Sequence, residues 1–211
     1  MRIDAFAPDV GIVREAGKIL AEGGIVLHAT ETVYGLACRW DNLDSINRLA
    51  TLKKRDFGKP NSIMIGDFAD IADITGGLSP RLNRFLEAVL PGPLTVVVPL
   101  DNPRPDPYWG QFASIGFRFP DHPLSRALVR AAGVPLITTS ANVAGDPSPA
   151  TESGISRELA ASVDLFLPSG NCPVGLPSTV IEISKNENEV FLLRKGAVDF
   201  DSISNIWIAL K

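Results

Sequence analysis

Apolar residues fall along this chain in two alternating rhythms: short unbroken runs that suit buried strands, and spaced sets that suit one face of a helix. The first spaced set, Ile12, Val13, Ala16, Ile19 and Leu20, opens at Pro8-Asp9 and stops at Gly23-Gly24, which predicts a capped helix. The run Ile25 to Leu27 predicts a strand that delivers Thr30-Glu31-Thr32 at its end, with Tyr34-Gly35-Leu36 turning the chain. Ile46, Leu49 and Leu52 predict a helix over 42–52 ending in Lys53-Lys54-Arg55, and Gly58-Lys59-Pro60 leads into a strand over 62–66. A short helix over 67–74 follows. Ser79-Pro80 then starts another, with Leu82, Phe85, Leu86 and Val89 on its apolar face.

Pro91-Gly92-Pro93 breaks the chain before an apolar strand, Leu94 to Leu100. Residues 101–112 predict a proline-rich loop long enough to imply a use, with Trp109 as a candidate lid residue. Ser114 to Phe119 predicts a strand carrying Arg118, and Asp121-His122-Pro123 caps a helix through Leu124, Leu128 and Val129. Val134 to Thr139 predicts a strand running into Ser140-Ala141-Asn142. A helix near 151–161, strands near 163–167, 178–184 and 189–194, and a helix near 202–210 complete the pattern. Alternating strands and helices make a layered α/β fold, and the hairpin around Lys185 to Asn188 makes its sheet mixed. With no internal repeat and no linker, residues 1–211 read as a single domain.

Composition narrows the function. At 45% hydrophobic the chain can build a sizeable core, and its net charge of -4 argues against broad nucleic-acid binding, which needs a basic face. The cations between 53 and 59 are therefore a local feature, suited to a small anionic ligand. Cys38 and Cys172 are too few for a disulfide framework and suggest a reducing cytoplasm. The N-terminus has no apolar signal segment, and no run approaches a membrane span, so a soluble cytoplasmic protein is expected. No GxxxxGK[ST], GxGxxG, HExxH, CxxC or GxSxG occurs, which removes the common phosphate-loop, dinucleotide, zinc and hydrolase classes.

Three polar strand ends remain: Thr30-Glu31-Thr32, Arg118 after Ser114, and Thr138 to Asn142. Hydroxyls at such places often only cap or turn the backbone, and cations at the end of a helix favour its dipole whatever their function. Three ends together with Lys53-x-Arg55 point to a shared site at the edge of the sheet. Cys38 as a nucleophile and Tyr34 as a stacking platform are weaker readings than packing roles for both.

At these residues the chain resembles the YrdC/TsaC family. The resemblance is carried by Thr30 to Leu36, Lys53-x-Arg55, Lys59-Pro60, Pro91 to Thr95, Arg118-x-Pro120, Ser140-x-Asn142, Gly145-x-x-Ser148, Pro177 to Val180 and Leu193-Arg194-x-Gly196. It implies a twisted sheet with a concave, positively charged cavity. It also implies threonylcarbamoyl-AMP synthase activity: L-threonine, bicarbonate and ATP give threonylcarbamoyl-adenylate and pyrophosphate, for use by proteins that modify tRNA. Carried over residue by residue, Thr32, Arg118, Thr138 and Ser178 hold threonine. Arg55, Lys59, Ser114, Ser140, Ser148 and Arg194 hold ATP, and Lys53 and Asn142 complete a catalytic set with Arg55 and Ser140. Magnesium (Mg2+) is expected on the ATP phosphates, and tRNA contact is expected to be weak at most. The residue types suit the chemistry, because two anionic reactants need fixed cations and a bidentate arginine grips a carboxylate.

The chain departs from the family pattern at four places. His28 and Asp56 stand where prolines are usual, Asn61 replaces a common leucine, and Met64 replaces a histidine many members place near threonine. The chain resembles the short, single-domain form. An RNA-binding module is the alternative, though relatives of that kind tend to lose the KxR and SxN residues. Carbamoyl-adenylate chemistry of the hydrogenase-maturation type would want further domains on the same chain.

Overall fold

The computed structural model describes residues 3–56, 58, 60–100 and 107–210. Its first half runs α1 (Val10–Ala21), β1 (Val26–His28), β2 (Gly35–Arg39), α2 (Leu43–Leu52), β3 (Ser62–Met64), α3 (Ala69–Thr75), α4 (Pro80–Val89) and β4 (Leu94–Pro99). The second half runs β5 (Ser114–Arg118), α5 (Pro123–Ala132), β6 (Leu136–Ser140), α6 (Arg157–Ser162), β7 (Leu165–Leu167), β8 (Thr179–Ile183), β9 (Val190–Arg194) and α7 (Phe200–Ala209). Short 3₁₀ turns occupy Trp109–Gln111 and Glu152–Gly154. Helix starts follow the capping rule, with Asp9, Asn42, Ser79 and Asp199 each accepting a hydrogen bond from the amide three residues on.

The strands form one mixed sheet in the order β7-β1-β2-β6-β3-β5-β4-β8-β9. Three neighbouring pairs are parallel, β1 with β7, β3 with β5 and β4 with β8, and the 185–188 hairpin joins β8 and β9 antiparallel as expected. The segment read as a turn at Tyr34 to Leu36 is instead the start of β2, which lies between β1 and β6. Gly35 and the brevity of the apolar run hid a strand buried on both faces, where no polar alternation is needed.

Successive residues of a strand point to opposite faces, so the register divides the sheet's side chains. Leu27, Leu36, Cys38, Ile137, Ile63, Phe117, Val96 and Ile181 join α2, α4 and α7 in the larger core. On the other face, Val26, Ala37, Met64 and Leu136 pack with α1 and α5 in a second core. Beyond those two helices the same face turns polar, and there it is hollow.

Candidate active site

The hollow follows from the strand register. Ser62 pairs with Gly116 and Thr138, Val97 with Gly116 and Glu182, and Val180 with Arg194, so all of these share a face. They line a cavity of about 630 Å³ together with Lys53, Arg55, Asn142, Ser148 and Ser178. Gly116 forms part of its floor: a Cβ there would lie 3.3 Å from Ser62 Oγ and 3.4 Å from Thr95 Cγ2.

Two of the cations come from the end of α2. Lys54 takes a left-handed φ of 49°, and the Arg55 N–H reaches back to Ala50 O at 3.0 Å, closing the helix as a Schellman-type turn. This reversal sends both Lys53 and Arg55 to the cavity and leaves Lys54 exposed. The Lys53 ammonium donates to Ser140 O (2.5 Å) and Asn142 O (2.8 Å), while Lys53 O accepts from the Ala144 N–H at 2.9 Å. Asn142 Nδ2 in turn donates to Val143 O and Asp146 O. KxR and SxN are thus one structural unit, in which Lys53 and Asn142 shape the loop after β6 and one ammonium N–H remains for the cavity. Burial, and after it the charge of Arg55, pulls Lys53 down to about 8.

Arg55 Nη1 donates to Asn61 Oδ1 (3.2 Å) and Nη2 to Pro60 O (2.8 Å). Asp56, which adds a negative charge beside it, accepts from the Gly58 N–H and forms no ion pair with Arg55 among the described residues. Arg194 grips Ser178, with Nε and Nη2 on its carbonyl and Nη2 on its Oγ, and Ser178 Oγ also bonds Thr95 Oγ1 at 2.9 Å. Gly196 allows this: a Cβ there would stand 2.4 Å from Pro177 O. Arg118 differs. Its Nη2 donates to Glu31 Oε1 (2.7 Å) and Thr32 Oγ1 (2.5 Å), making a buried ion pair, and Arg118 Nε and Glu31 Oε2 have no hydrogen-bond partner among the described residues.

Of the expected site residues, all but two line this cavity. Thr32 is fully buried behind it and touches Arg118, while Thr30 lines the wall in its place. Lys59 lies outside the described residues. Trp109 is no lid: it is 2% exposed, and its indole donates to Trp40 O. Cys38 is sealed in the core, where burial pushes its thiol up to about 12, so it is no nucleophile. Tyr34 Oη donates to Gly170 O and accepts from the Ser169 N–H, the packing role expected of it. Sequence reasoning missed Glu31 as the counter-ion of Arg118, Thr95 as the partner of Ser178, and Glu182 on the wall. Only Ser114-x-Gly116-x-Arg118, small or polar residues alternating with Ile115 and Phe117, announced an open face.

A family model named for Sua5, YciO and YrdC, and described as "Telomere recombination", matches residues 18–196. The chain belongs to the Sua5/YciO/YrdC family. A relative in Nitrosococcus oceani named threonylcarbamoyl-AMP synthase is 33% identical over 74% of this chain and 84% of its own. One in Bacillus subtilis with the same name is 29% identical over 92% of this chain. A crystal structure of P. abyssi Sua5 complexed with L-threonine superposes with a TM-score of 0.86 at 26% identity, covering 98% of this chain. The chain spans 56% of the Bacillus subtilis protein and 60% of the P. abyssi chain. The mixed sheet flanked by helices is the fold expected of this family.

Proposed function

We propose that this chain is a threonylcarbamoyl-AMP synthase, forming threonylcarbamoyl-AMP and pyrophosphate from L-threonine, bicarbonate and ATP. One observation carries the reading: Lys53, Arg55, Arg118 and Arg194, from three separate parts of the chain, converge on one cavity beside rows of hydroxyls, in a family whose relatives bear that name. A hollow of about 630 Å³ is of the size that takes a small-molecule ligand.

In this mechanism Arg118, held in place by Glu31 and Thr32, receives the threonine carboxylate beside Thr138 and Ser178. The threonine amine condenses with bicarbonate, losing water, to give a carbamate. A carbamate oxygen then attacks the α-phosphorus, a new P–O bond forms, and the bond to pyrophosphate breaks. Arg55, Lys59, Ser114, Ser140, Ser148 and Arg194 hold ATP, while Lys53 and Asn142 fix the loop that carries Ser140. Positioning and charge do the work, with no covalent nucleophile. Magnesium supplies further positive charge at the phosphates when bound. The cavity offers it one carboxylate, Glu182, and no group of three or more His, Cys, Asp or Glu exists among the described residues, so the phosphates are its expected ligands.

The product is expected to pass to proteins that install threonylcarbamoyl-adenosine in tRNA, with little tRNA contact by this acidic chain. A cytoplasmic setting fits two buried free thiols, and no described helix is long and apolar enough to cross a membrane. The test is to incubate purified protein with ATP, bicarbonate and labelled threonine. Release of pyrophosphate with a labelled adenylate is expected, as is its loss in Arg55→Ala with the fold intact by circular dichroism. No pyrophosphate, together with tight salt-sensitive RNA binding, would favour the RNA-binding alternative.

A further inference from the structure

The residue at 61 departs from the family pattern, and its surroundings give it work. Asn61 is 8% exposed, on the segment between Pro60 and β3. Its Oδ1 accepts from Arg55 Nη1 at 3.2 Å, while its Nδ2 donates to Tyr108 Oη at 2.9 Å. The guanidinium, which can only donate, therefore settles which way the amide faces. With the amide oxygen claimed by Arg55, the nitrogen is left to donate to the Tyr108 oxygen. Tyr108 is itself fixed, packed edge-on against Trp109 and Phe112 with ring centroids 4.8 Å and 5.3 Å away. Burial raises the Tyr108 phenol above its ordinary value, so it stays protonated through the neutral range.

A leucine at 61 would leave Arg55 with Pro60 O as its described acceptor, free to swing about that single bond. An aspartate would hold it firmly but cancel its charge. Asparagine does neither harm: it is a neutral acceptor that orients the cation and leaves its full charge for an anion. We propose that Asn61, braced by Tyr108, is a positioning residue that fixes where Arg55 presents its charge to the phosphates of ATP. This rests on the ATP reading given above. It also gives Tyr108 a use, as the buttress behind Asn61.

ATP binding by titration calorimetry tests this without requiring turnover, with threonine KM and thermal midpoint measured alongside. Asn61→Leu should weaken ATP about tenfold and leave threonine KM and the midpoint close to wild type. Asn61→Asp should weaken ATP further, although aspartate is nearly the same shape. Tyr108→Phe should weaken ATP by a smaller factor. In an Arg55→Ala background, Asn61→Leu should add nothing, because Asn61 acts only through Arg55. Wild-type ATP affinity in Asn61→Leu, or an undiminished effect of that change without Arg55, would overturn the positioning role alone. Failure of the wild-type protein to bind ATP would overturn both this role and the ATP reading beneath it.

Discussion

Lys53→Met tests whether the end of α2 and the loop after β6 are held as one piece. Methionine keeps the length and apolar stem of lysine, a residue only 4% exposed here, while removing the ammonium that donates to Ser140 O and Asn142 O. A hydrogen bond from a charged donor is worth about 1.5–3 kcal/mol, and part of the loss is recovered because a buried charge no longer needs housing, so about 3 kcal/mol net is expected. For a chain of this size that lowers Tm by about 6–12 °C. Scanning calorimetry reads the stability, and hydrogen exchange reads the Ala144 N–H, whose bond to Lys53 O should open more often. ATP affinity should also fall at least tenfold as Ser140 loses its fixed position. In the wild type, ATP affinity should weaken as pH rises through about 8, where Lys53 loses its proton, and this dependence should vanish in the variant. An unchanged midpoint with unchanged ATP affinity would refute the reasoning.

Gly196→Ala would press a Cβ to within 2.4 Å of Pro177 O, so the Ser178 segment must move. About 1–3 kcal/mol of stability should be lost, with ATP affinity, while a variant crystal structure with Ser178 undisplaced would argue against it. Lys54→Gly should raise stability by about 1 kcal/mol in urea denaturation, because glycine adopts the left-handed φ of 49° without strain; ATP affinity should stay the same, and a loss would make Lys54 a ligand. Burial drives His28 and His122 down to about 4, so both are neutral in the fold, and their contribution is complete above the ordinary value of 6.5. It should disappear as pH falls from 6.5 towards 4, by up to about 3 kcal/mol for each. Urea midpoints that stay flat between pH 7 and pH 4.5 would contradict this.

The helices were legible because each carries its own signals within a dozen residues. Asp9 before α1 and Ser79-Pro80 before α4 cap where the spacing of apolar residues begins. β2 was not, since a strand buried on both faces shows neither alternation nor a polar boundary, and its glycine imitated a turn. The cavity was half legible. Thr138, Ser140, Ser114 and Arg118 stand at strand ends that sequence could locate, but nothing local says that β6, β3 and β5 are neighbours. The pairings that set the side chains span long stretches of chain: Glu31 with Arg118, Lys53 with Ser140, Ser178 with Thr95. None of them leaves a periodic trace, so sequence supplied the participants without their partners.

Those partners separate the four cations into two kinds. Lys53, Arg55 and Arg194 are tied down by backbone carbonyls, an amide oxygen and a hydroxyl, all neutral acceptors. Neutral ties fix a cation without cancelling it, so each keeps its charge for whatever anion enters a partly desolvated hollow, where charge interactions exceed those in water. Arg118 alone is paired with a carboxylate among the described residues. Its net field is weaker, yet its planar fork is held rigid by Glu31 and Thr32, which favours geometry over attraction. That asymmetry matches the two proposed substrates. A triphosphate carries several charges and needs uncancelled positive groups, whereas an amino acid is neutral overall and needs its one carboxylate aligned. On the proposed reading, the Glu31 pair sets the threonine position at Arg118 apart from the phosphate positions at the other cations.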